Sequence, residues 1–304
     1  MSDCVLAVDI GGTKLSVALV NSSGQILHVL KAPVERGGPA ALAAQVRQQA
    51  HELAAAADIP FRNLLAAGAV VPGIYFAGTG NVWVPNLWGH AQVPFRAELQ
   101  KALELPIAIG SDRAGYVLGE QWTGAAQGRS DVVFLAVGTG IGAGILSGGH
   151  LLRGVGDIAG AVGWFALQPN YRDIYREMGC WEAEAAGPAL ARRLGIASSE
   201  EVVRLARAGD TKAHQAVLET ARFLGLGIAN LVSLLNPEIV IVGGGLMQAH
   251  DLFLDPIREC VLQWAQPIAA QQARIMPSQL GENAALVGAA RIALERHLTN
   301  GQGA

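Results

Sequence analysis

Short apolar runs separated by glycine-rich turns open the chain. Residues 5–8 are apolar, the turn DIGGTK follows at 9–14, and a second apolar run covers 15–20. Uninterrupted apolar runs of this length that end at turn residues are typical of buried strands. The pattern therefore predicts a strand, a glycine turn and a second strand.

The same pattern recurs near the middle of the chain. The apolar run 132–137 is followed by GTGIG at 138–142, and AGIL at 143–146 resumes the strand pattern. Further on, EIVIVGGG at 238–245 predicts a strand that meets three glycines. The repeated order of strand, glycine turn and strand indicates an α/β protein with two related lobes.

Helices and further strands are expected between these units from composition and breaker residues. We expect helices at 39–57, from Asp112 to about 122, across 183–235 with interruptions near 195–200 and 209–211, and at 283–298, and strands at 65–71 and 106–109. The Gly-, Pro-, Asn- and Trp-rich stretch 77–95 is too long for a simple connection, so we expect a binding loop. We place the N-terminal lobe at 1–115, completed by a C-terminal helix at 286–304, and the second lobe at 116–285.

Composition narrows the range of functions. Of the 304 residues, 51% are hydrophobic and 15% are charged, as in a globular protein. The net charge of −3 and the scattered Lys and Arg offer no basic footprint for nucleic acid. No basic leader or membrane-length apolar run is present, and Cys4, Cys180 and Cys260 fit neither a disulfide framework nor a C-x-x-C pair. We therefore expect a cytoplasmic protein that binds small molecules rather than nucleic acid or a membrane.

The first glycine turn carries the residue types that bind a nucleotide triphosphate. Gly11 and Gly12 allow backbone N–H groups to approach phosphate closely, and Thr13 offers a hydroxyl. Lys14 adds positive charge, and Asp9 is suited to hold a hydrated Mg²⁺. The alternative is a plain hairpin turn, which the acidic residue, the threonine and the lysine make less favourable.

Two further glycine turns extend this interpretation to ATP. The second phosphate turn contains Gly138, Thr139 and Gly140, and the third glycine turn contains Gly243, Gly244 and Gly245. The third either faces the adenine and ribose or is only a tight strand-to-helix turn. Neither the Rossmann spacing followed by a helix nor the G-K-[ST] of a Walker loop is present.

Six motifs occur in an order that resembles one family. They are DIGGTK at 9–14, PNLWG at 85–89, SDRAGYVLGE at 111–120, VGTGIGAGI at 137–145, GCWEAEAAGPA at 179–189 and VIVGGGL at 240–246. Together they are similar to the ROK family of repressors and kinases, within the hexokinase and actin-like superfamily. The resemblance implies an α/β fold of two lobes around a cleft where ATP and a sugar meet, and a homodimer. The family's repressors carry a helix-turn-helix before the first motif, where this sequence has only Met1 to Val8, so we favour the kinase branch.

The resemblance also assigns sugar-side residues. Asp112 matches the family's general base, which accepts a proton from the sugar hydroxyl; the alternative is a helix N-cap without chemistry. Ser111 stands where the family usually has Asn, which implies a shortened or lost sugar hydrogen bond. In the PNLWG loop, Asn86 is expected to bond a hydroxyl, and Trp88 either lies against the sugar ring or packs in the core.

Residues 160–182 depart from the family pattern. The segment GAVGW puts Ala161 and Trp164 where the family has a Glu and a His that contact sugar, and only Cys180 remains of three zinc-binding cysteines. Tetrahedral zinc requires four ligands, so we expect no structural zinc. Glu182 is retained as a sugar contact, with a helix-start carboxylate as the alternative. Either Trp164 supplies an aromatic wall for a different sugar or sugar binding has weakened.

Without zinc, other residues must order the loop at 165–179. We expect this of its aromatic and charged residues, Tyr171, Arg172, Asp173, Tyr175 and Arg176. The sequence as a whole predicts an ATP- and Mg²⁺-dependent kinase that phosphorylates a hydroxyl of a hexose or hexose derivative. The alternatives are a sugar- or nucleotide-binding regulator without turnover and an actin-like ATPase, and the second of these leaves the PNLWG loop unexplained.

Overall fold

The computed structural model describes the backbone of residues 3–301 and the side chains of residues 3–298. Its strands are β1 Cys4–Ile10, β2 Lys14–Asn21, β3 Ile26–Pro33, β4 Ala67–Val71, β5 Ile74–Phe76, β6 Asn81–Trp83, β7 Gln92–Val93, β8 Ile107–Ser111, β9 Val132–Val137, β10 Ile141–Ser147, β11 His150–Leu151, β12 Ile239–Gly243 and β13 Arg274–Pro277. Each apolar run expected to be a strand is one, with ends that differ by a few residues.

Helices lie in every segment where we expected one, and further helices lie at 85–88, 95–103, 175–178, 250–264 and 267–272. They are α1 Pro39–Ala56, α2 Pro85–Trp88, α3 Phe95–Leu103, α4 Asp112–Thr123, α5 Tyr175–Met178, α6 Cys180–Ala185, α7 Gly187–Leu194, α8 Ser199–Arg207, α9 Thr211–Leu235, α10 His250–Trp264, α11 Pro267–Gln272 and α12 Ala284–Gly301. The interruptions expected near 195–200 and 209–211 are both present. Residues 302–304 of the expected C-terminal helix lie outside the described residues.

The chain divides into two compact units. Unit 1 contains the described residues up to Gln127, Arg153–Ala159 and the chain from Glu282 onward, and unit 2 contains Gly128–Leu152 and Gly160–Gly281. Residues 116–127, 153–159 and 282–285 therefore lie in the first unit, although we expected them in the second lobe. The reason for the first difference is that α4 packs closely on α12.

Unit 1 is built on a five-stranded sheet in the order β3-β2-β1-β4-β8. The first three strands are antiparallel neighbours, and β4 and β8 run parallel to β1. Both faces of β1 are buried: Leu6 and Val8 pack with α1 and α3, while Val5 and Ala7 pack with α12. This two-sided burial explains the uninterrupted apolar run that predicted the strand.

Glycines allow α12 to lie directly against its neighbours in unit 1. A Cβ built on Gly119 would collide with the carbonyl of Ala284, and one on Gly288 would collide with the carbonyl of Gly115. Helices α4 and α12 therefore approach each other backbone to backbone at these positions. The C-terminal helix thus completes the core of the unit that begins the chain.

The stretch 77–95 is only partly the irregular loop that we expected. It contains β6, α2 and β7, and a small sheet in the order β5-β6-β7 runs through it. Val82 and Val84 are fully buried and hold this sheet on the core of unit 1. The small sheet therefore fixes the position of α2 on the core of unit 1.

Unit 2 repeats the arrangement with the sheet order β11-β10-β9-β12-β13. Its long helix α9 is apolar and long enough to cross a membrane by length and composition, but 56% of its most apolar window is buried inside the protein. Gly227 of α9 makes room for the fully buried indole of Trp181, since a Cβ there would collide with the ring. The apolar character of α9 is explained by this core position.

Candidate active site

The DIGGTK turn of unit 1 presents its backbone to solvent. The N–H of Gly11 donates to the carbonyl of Lys14 at 2.8 Å, which closes the turn between β1 and β2. A Cβ on Gly11 would lie only 3.0 Å from that carbonyl, so glycine is needed for a turn this tight. Gly12 is half-buried and Thr13 is exposed. The turn has the open backbone that phosphate binding requires.

An arginine that the sequence did not single out supports this turn. The guanidinium of Arg36 donates to the carbonyl of Gly12 at 2.8 Å. Its side chain is exposed, and Arg36 comes three residues after the end of β3 in the chain. The only signal in the sequence is a basic residue before a Gly-Gly pair, which is too weak to identify a contact 24 residues away. Arg36 brings a positive charge to the phosphate turn.

Lys14 is engaged by an acidic residue. Its ammonium lies 3.1 Å from a carboxylate oxygen of Glu282, and Lys31 lies 3.0 Å from the same oxygen. All three side chains are at the surface of unit 1, where such pairs contribute little to stability. The expected role of Lys14 toward phosphate remains a prediction and requires release from Glu282.

Two carboxylates lie where β1 and β8 end. Burial and, to a smaller extent, the negative charge of Asp112 raise the pKa of Asp9 to about 7, against the opposing charges of Lys14 and Lys31. Burial also raises the pKa of Asp112 to about 6, against the charge of Arg113 and its backbone N–H, which donates to the carboxylate at 2.8 Å. Asp9 lies opposite Val70 of β4, and Val70 lies opposite Gly110 of β8, so both carboxylates lie at the same edge of the sheet.

These two carboxylates suit a divalent cation. No side chain or backbone N–H in residues 3–298 donates a hydrogen bond to Asp9, and its charge is disfavoured by burial and by Asp112. A cation would relieve both effects, and carboxylate oxygens are the ligands that Mg²⁺ prefers. Among the described residues no group of three or more His, Cys, Asp or Glu could hold a metal ion. Mg²⁺ here would therefore depend on phosphate oxygens and water for its other ligands.

Ser111 rather than Asp112 caps helix α4. The Ser111 hydroxyl accepts a hydrogen bond from the N–H of Ala114 at 3.3 Å, and Asp112 is the first residue of the helix. The interpretation of Asp112 as a mere N-cap is therefore wrong. Ser111 is buried and its hydroxyl oxygen serves the helix, so a sugar contact by this residue remains a prediction.

The PNLWG residues divide into an exposed and a packed member. Asn86 is exposed. A Cβ built on Gly12 would lie 3.9 Å from the Cβ of Asn86, so this loop adjoins the phosphate turn. Trp88 packs on the core of unit 1 with its ring 5.2 Å from that of Phe95. Of the two roles left open for Trp88, the structure shows core packing.

Unit 2 carries the second phosphate turn between β9 and β10. The N–H of Gly138 donates to the carbonyl of Gly140 at 2.9 Å, and Thr139 at the tip is exposed. The carboxylate of Glu182 accepts a hydrogen bond from the N–H of Ile141 at 2.8 Å and lies directly over Gly140. Burial raises the pKa of Glu182, and this hydrogen bond lowers it. Glu182 therefore anchors the turn, which the sequence did not predict.

The three glycines after β12 adjoin that turn. Gly244 has φ 93°, and a Cβ there would lie 2.5 Å from the carbonyl of Val137. A Cβ on Gly138 would lie 3.7 Å from the backbone nitrogen of Gly245. The stretch is a tight turn, as one alternative held, and it also places open backbone beside the phosphate turn. Gly245 itself has no atom near the position of a Cβ.

Trp164 lies at the edge of a cavity in unit 2. Its side chain is 57% exposed, and the cavity has a volume of about 560 Å³. The lining consists of Trp164, Ala166, Gln168, Pro169, Tyr171, Tyr175, Arg176, Gly179 and Cys180. Such a mainly apolar space with a few polar groups is suited to a small ligand. An aromatic wall formed by Trp164 is consistent with this geometry.

A buried glutamate organises the loop at 165–179. Glu184 accepts hydrogen bonds at 2.5 Å from the hydroxyl of Tyr175 and from the guanidinium of Arg172. Gln168 donates to Glu184 and to Tyr175, and Arg193 lies 3.6 Å from the second carboxylate oxygen. The expectation that Arg172 and Tyr175 order this loop is confirmed, while Glu184 as their common partner was not foreseen. The absence of zinc remains a prediction.

Comparisons with known proteins agree on one family. The sequence profile of the ROK family matches residues 5–296. The chain is 31% identical to a glucokinase of Thermotoga maritima, over 96% of this chain and 98% of the relative, and 25% identical to the xylose repressor of Bacillus spizizenii, over 96% and 77%.

Solved structures give the same result. The ROK hexokinase of Thermus thermophilus superimposes with a TM-score of 0.82 at 30% identity, over 96% of this chain and 98% of that one. A ROK glucokinase of Streptomyces griseus in complex with glucose and AMPPNP superimposes with a TM-score of 0.77 at 28% identity, over 96% and 99%. The expected two-lobed, actin-like α/β fold is confirmed, and the chain belongs to the ROK family.

Proposed function

We propose that this protein transfers the γ-phosphate of ATP to a hydroxyl of a hexose or hexose derivative, with Asp112 as general base. The observation that carries the proposal is the half-buried Asp112, with a pKa raised to about 6, close to Asp9 at the phosphate turn of unit 1. A carboxylate with this pKa is ionised at neutral pH and still basic enough to accept a proton. The glucokinase and hexokinase relatives support the same reaction.

In the proposed step, a sugar hydroxyl oxygen forms a bond to the γ-phosphorus while the bond to the bridging oxygen of ADP breaks. Asp112 takes the hydroxyl proton, and the electron pair of the broken bond stays with ADP. Bound Mg²⁺ would supply positive charge to the phosphate oxygens, held through Asp9. Gly11, Gly12 and Thr13 would donate hydrogen bonds to phosphate, with Arg36 holding the turn in place.

Unit 2 supplies the nucleotide side of the proposal. The open backbone at Gly138, Gly140 and Gly245 is suited to phosphate and ribose, because a side chain there would obstruct the ligand. Glu182 keeps the turn in shape through the N–H of Ile141. We propose that its second oxygen contacts the sugar.

A second function is favoured by the repressor relatives. The xylose repressors are similar in sequence, and a sugar-binding regulator without turnover would keep the sugar contacts. Such a protein would not need a raised carboxylate pKa beside a second acid at the phosphate turn. We therefore propose the kinase first, acting as a cytoplasmic homodimer as in the expectation from the sequence.

The test is a coupled assay of ADP release with a panel of hexoses, amino and N-acylated hexoses, anhydro sugars and disaccharides. We expect one or more sugars to stimulate ADP release, and Asp112→Asn to lower kcat about 10²–10⁴-fold with ATP binding unchanged. Asp251→Asn is the matched control, because Asp251 also lies in the first turn of a helix but pairs at the surface with Arg207. ATP binding without any sugar-stimulated ADP release would contradict the kinase proposal.

A further inference from the structure

The cavity beside Trp164 in unit 2 has a wall of exposed aromatic rings. Trp164 is 57% exposed and Tyr171 is 69% exposed. The ring of Tyr171 meets that of Tyr175 edge to face, with the ring centres 6.0 Å apart. All three rings line one cavity of about 560 Å³. Aromatic faces left open to water at a cavity of this size favour a ligand that covers them with an apolar face of its own.

The wall of this cavity is held in place from behind. The buried Tyr175 donates its hydroxyl to Glu184 at 2.5 Å, and Gln168 donates to both of these residues. A Cβ built on Gly179 would lie 2.7 Å from the Cα of Trp164, so the backbone of Trp164 packs directly on the residue before α6. The cavity is therefore formed before a ligand arrives, and binding requires little rearrangement.

Two polar groups at the cavity have unused hydrogen-bonding capacity. Gln168 uses its amide N–H groups, but its Oε1 accepts no hydrogen bond from any residue in the part of the chain that the structure describes. The guanidinium of Arg176 is exposed and has no acceptor among the same residues. An acceptor and several donors beside aromatic faces match a sugar ring, which has an apolar C–H face and hydroxyl groups at its edge. A hydrocarbon ligand would use neither polar group.

The cavity adjoins the carboxylate that we propose as a sugar contact. A Cβ built on Gly163 would lie 3.1 Å from the Oε2 of Glu182. Trp164 is the next residue, so the backbone that touches Glu182 leads directly into the aromatic wall. A hexose held by Glu182 therefore lies beside the cavity, and a group attached to that hexose is the ligand that is closest at hand.

We propose that the cavity binds a second sugar ring, so that the substrate is a disaccharide or another glycosylated hexose rather than a free hexose. This inference rests on the proposed function and specifies its substrate class. The C–H face of the second ring packs on Trp164 and Tyr171, and its hydroxyl groups bond to Gln168 and Arg176. The ring held by Glu182 carries the hydroxyl that is phosphorylated.

The test compares, by calorimetry, the best-bound hexose of the sugar panel with disaccharides in which a glucosyl group is attached to that hexose. Wild-type protein should bind at least one disaccharide about three- to tenfold more tightly than the hexose, as for one aromatic contact. Trp164→Ala and Tyr171→Ala should each remove most of this preference. Both side chains are exposed, so the midpoints of thermal unfolding should stay near that of wild type.

Trp264→Ala is the matched control, because Trp264 is 55% exposed, also lies in unit 2 and does not line the cavity. This variant should keep the full preference for the disaccharide. A wild-type protein without the preference, or a preference that survives in both Trp164→Ala and Tyr171→Ala, would overturn the inference. A phenyl glycoside of the same hexose bound as tightly as the best disaccharide would also overturn it, because Gln168 and Arg176 would then contribute nothing.

These outcomes are distinct from failure of the kinase proposal. ADP release that no sugar stimulates would overturn the proposed function. Calorimetry measures sugar binding without turnover, so the preference for a disaccharide and its loss in Trp164→Ala would still decide the role of the cavity.

Discussion

Asp9 and Asp112 show how position alters the chemistry of one residue type. Asp9 lies at the end of β1 and Asp112 directly after β8 in unit 1, and the pKa of each is raised, mainly by burial, to about 7 and about 6. Asp112 has a donor in the N–H of Arg113, whereas Asp9 has none among the described residues. The two roles that we propose, general base and cation ligand, follow this difference.

Asp9→Asn is expected to stabilise the protein at neutral pH in the absence of Mg²⁺ and ATP. A carboxyl whose pKa is raised by folding binds more protons in the folded than in the unfolded state between about pH 4 and pH 7. Its contribution to stability therefore falls as the pH rises through that window. The free energy of unfolding of Asp9→Asn should equal that of wild type near pH 4 and exceed it by on the order of 1–3 kcal/mol at pH 8.

Urea denaturation at several pH values, with EDTA present, measures this difference. Asp58→Asn, which changes an exposed carboxylate, should show no such pH-dependent gain. A loss of stability in Asp9→Asn at pH 8 would mean that the Asp9 charge is favourably solvated or paired. Added Mg²⁺ should narrow the difference between wild type and the variant, because a cation stabilises the charged form.

At the scale of elements, a polar cluster joins α6 to the loop that precedes it. Glu184 of α6 lies under residues 168–175 and receives donors from Gln168, Arg172 and Tyr175. The same helix carries Glu182, which holds the phosphate turn through Ile141. Order in this loop and the position of the turn are therefore linked through one short helix.

Glu184→Gln should destabilise the protein by about 1–3 kcal/mol, because the buried hydroxyl of Tyr175, together with Arg172 and Gln168, loses a charged acceptor. Glu219→Gln is a matched control, because Glu219 and Glu184 both pair with Arg193, at 2.6 Å and 3.6 Å respectively. The side chain of Glu219, however, is 49% exposed. Its cost should stay below about 0.5 kcal/mol. Urea denaturation of both variants gives the comparison, and equal effects would show that the Glu184 cluster is not a specific support.

At the scale of the whole molecule, the C-terminal helix belongs to the unit that begins the chain. Helix α12 covers one face of β1 and β4 and packs along α4. The contact depends on small residues, since a Cβ on Gly68 would collide with the carbonyl of Ala289. Unit 1 therefore cannot complete its core until the end of the chain has been added.

Gly288→Ala should reduce the free energy of unfolding by about 1–3 kcal/mol or more, because the added methyl group collides with the backbone of Gly115 in α4. Gly78→Ala is the control, since no atom lies near the position of its Cβ. Thermal and urea denaturation followed by circular dichroism measure both. A Gly288→Ala variant as stable as Gly78→Ala would show that the two helices can separate at little cost.

The sequence by itself determined the glycine turns and those elements with a strong local pattern, namely β1, β2, β4, β8, β9, β10 and β12, helices α1, α4 and α12, and the helices within 183–235. Strand β9 consists of uninterrupted apolar residues and β1 is interrupted only by Asp9, while the turns that follow them consist mainly of glycine and polar residues, so both signals are local. The order of six motifs was enough to identify the family. The same local signals led to Asp9, Asp112 and the phosphate turns as candidate site residues.

Only the tertiary structure decided which of these residues meet and what else they touch. The influence of Asp112 on Asp9, the support of Gly12 by Arg36, and the hydrogen bond from Ile141 to Glu182 all join residues far apart in the sequence. Such contacts depend on how strands and helices pack, and a local pattern of residue types does not contain that information.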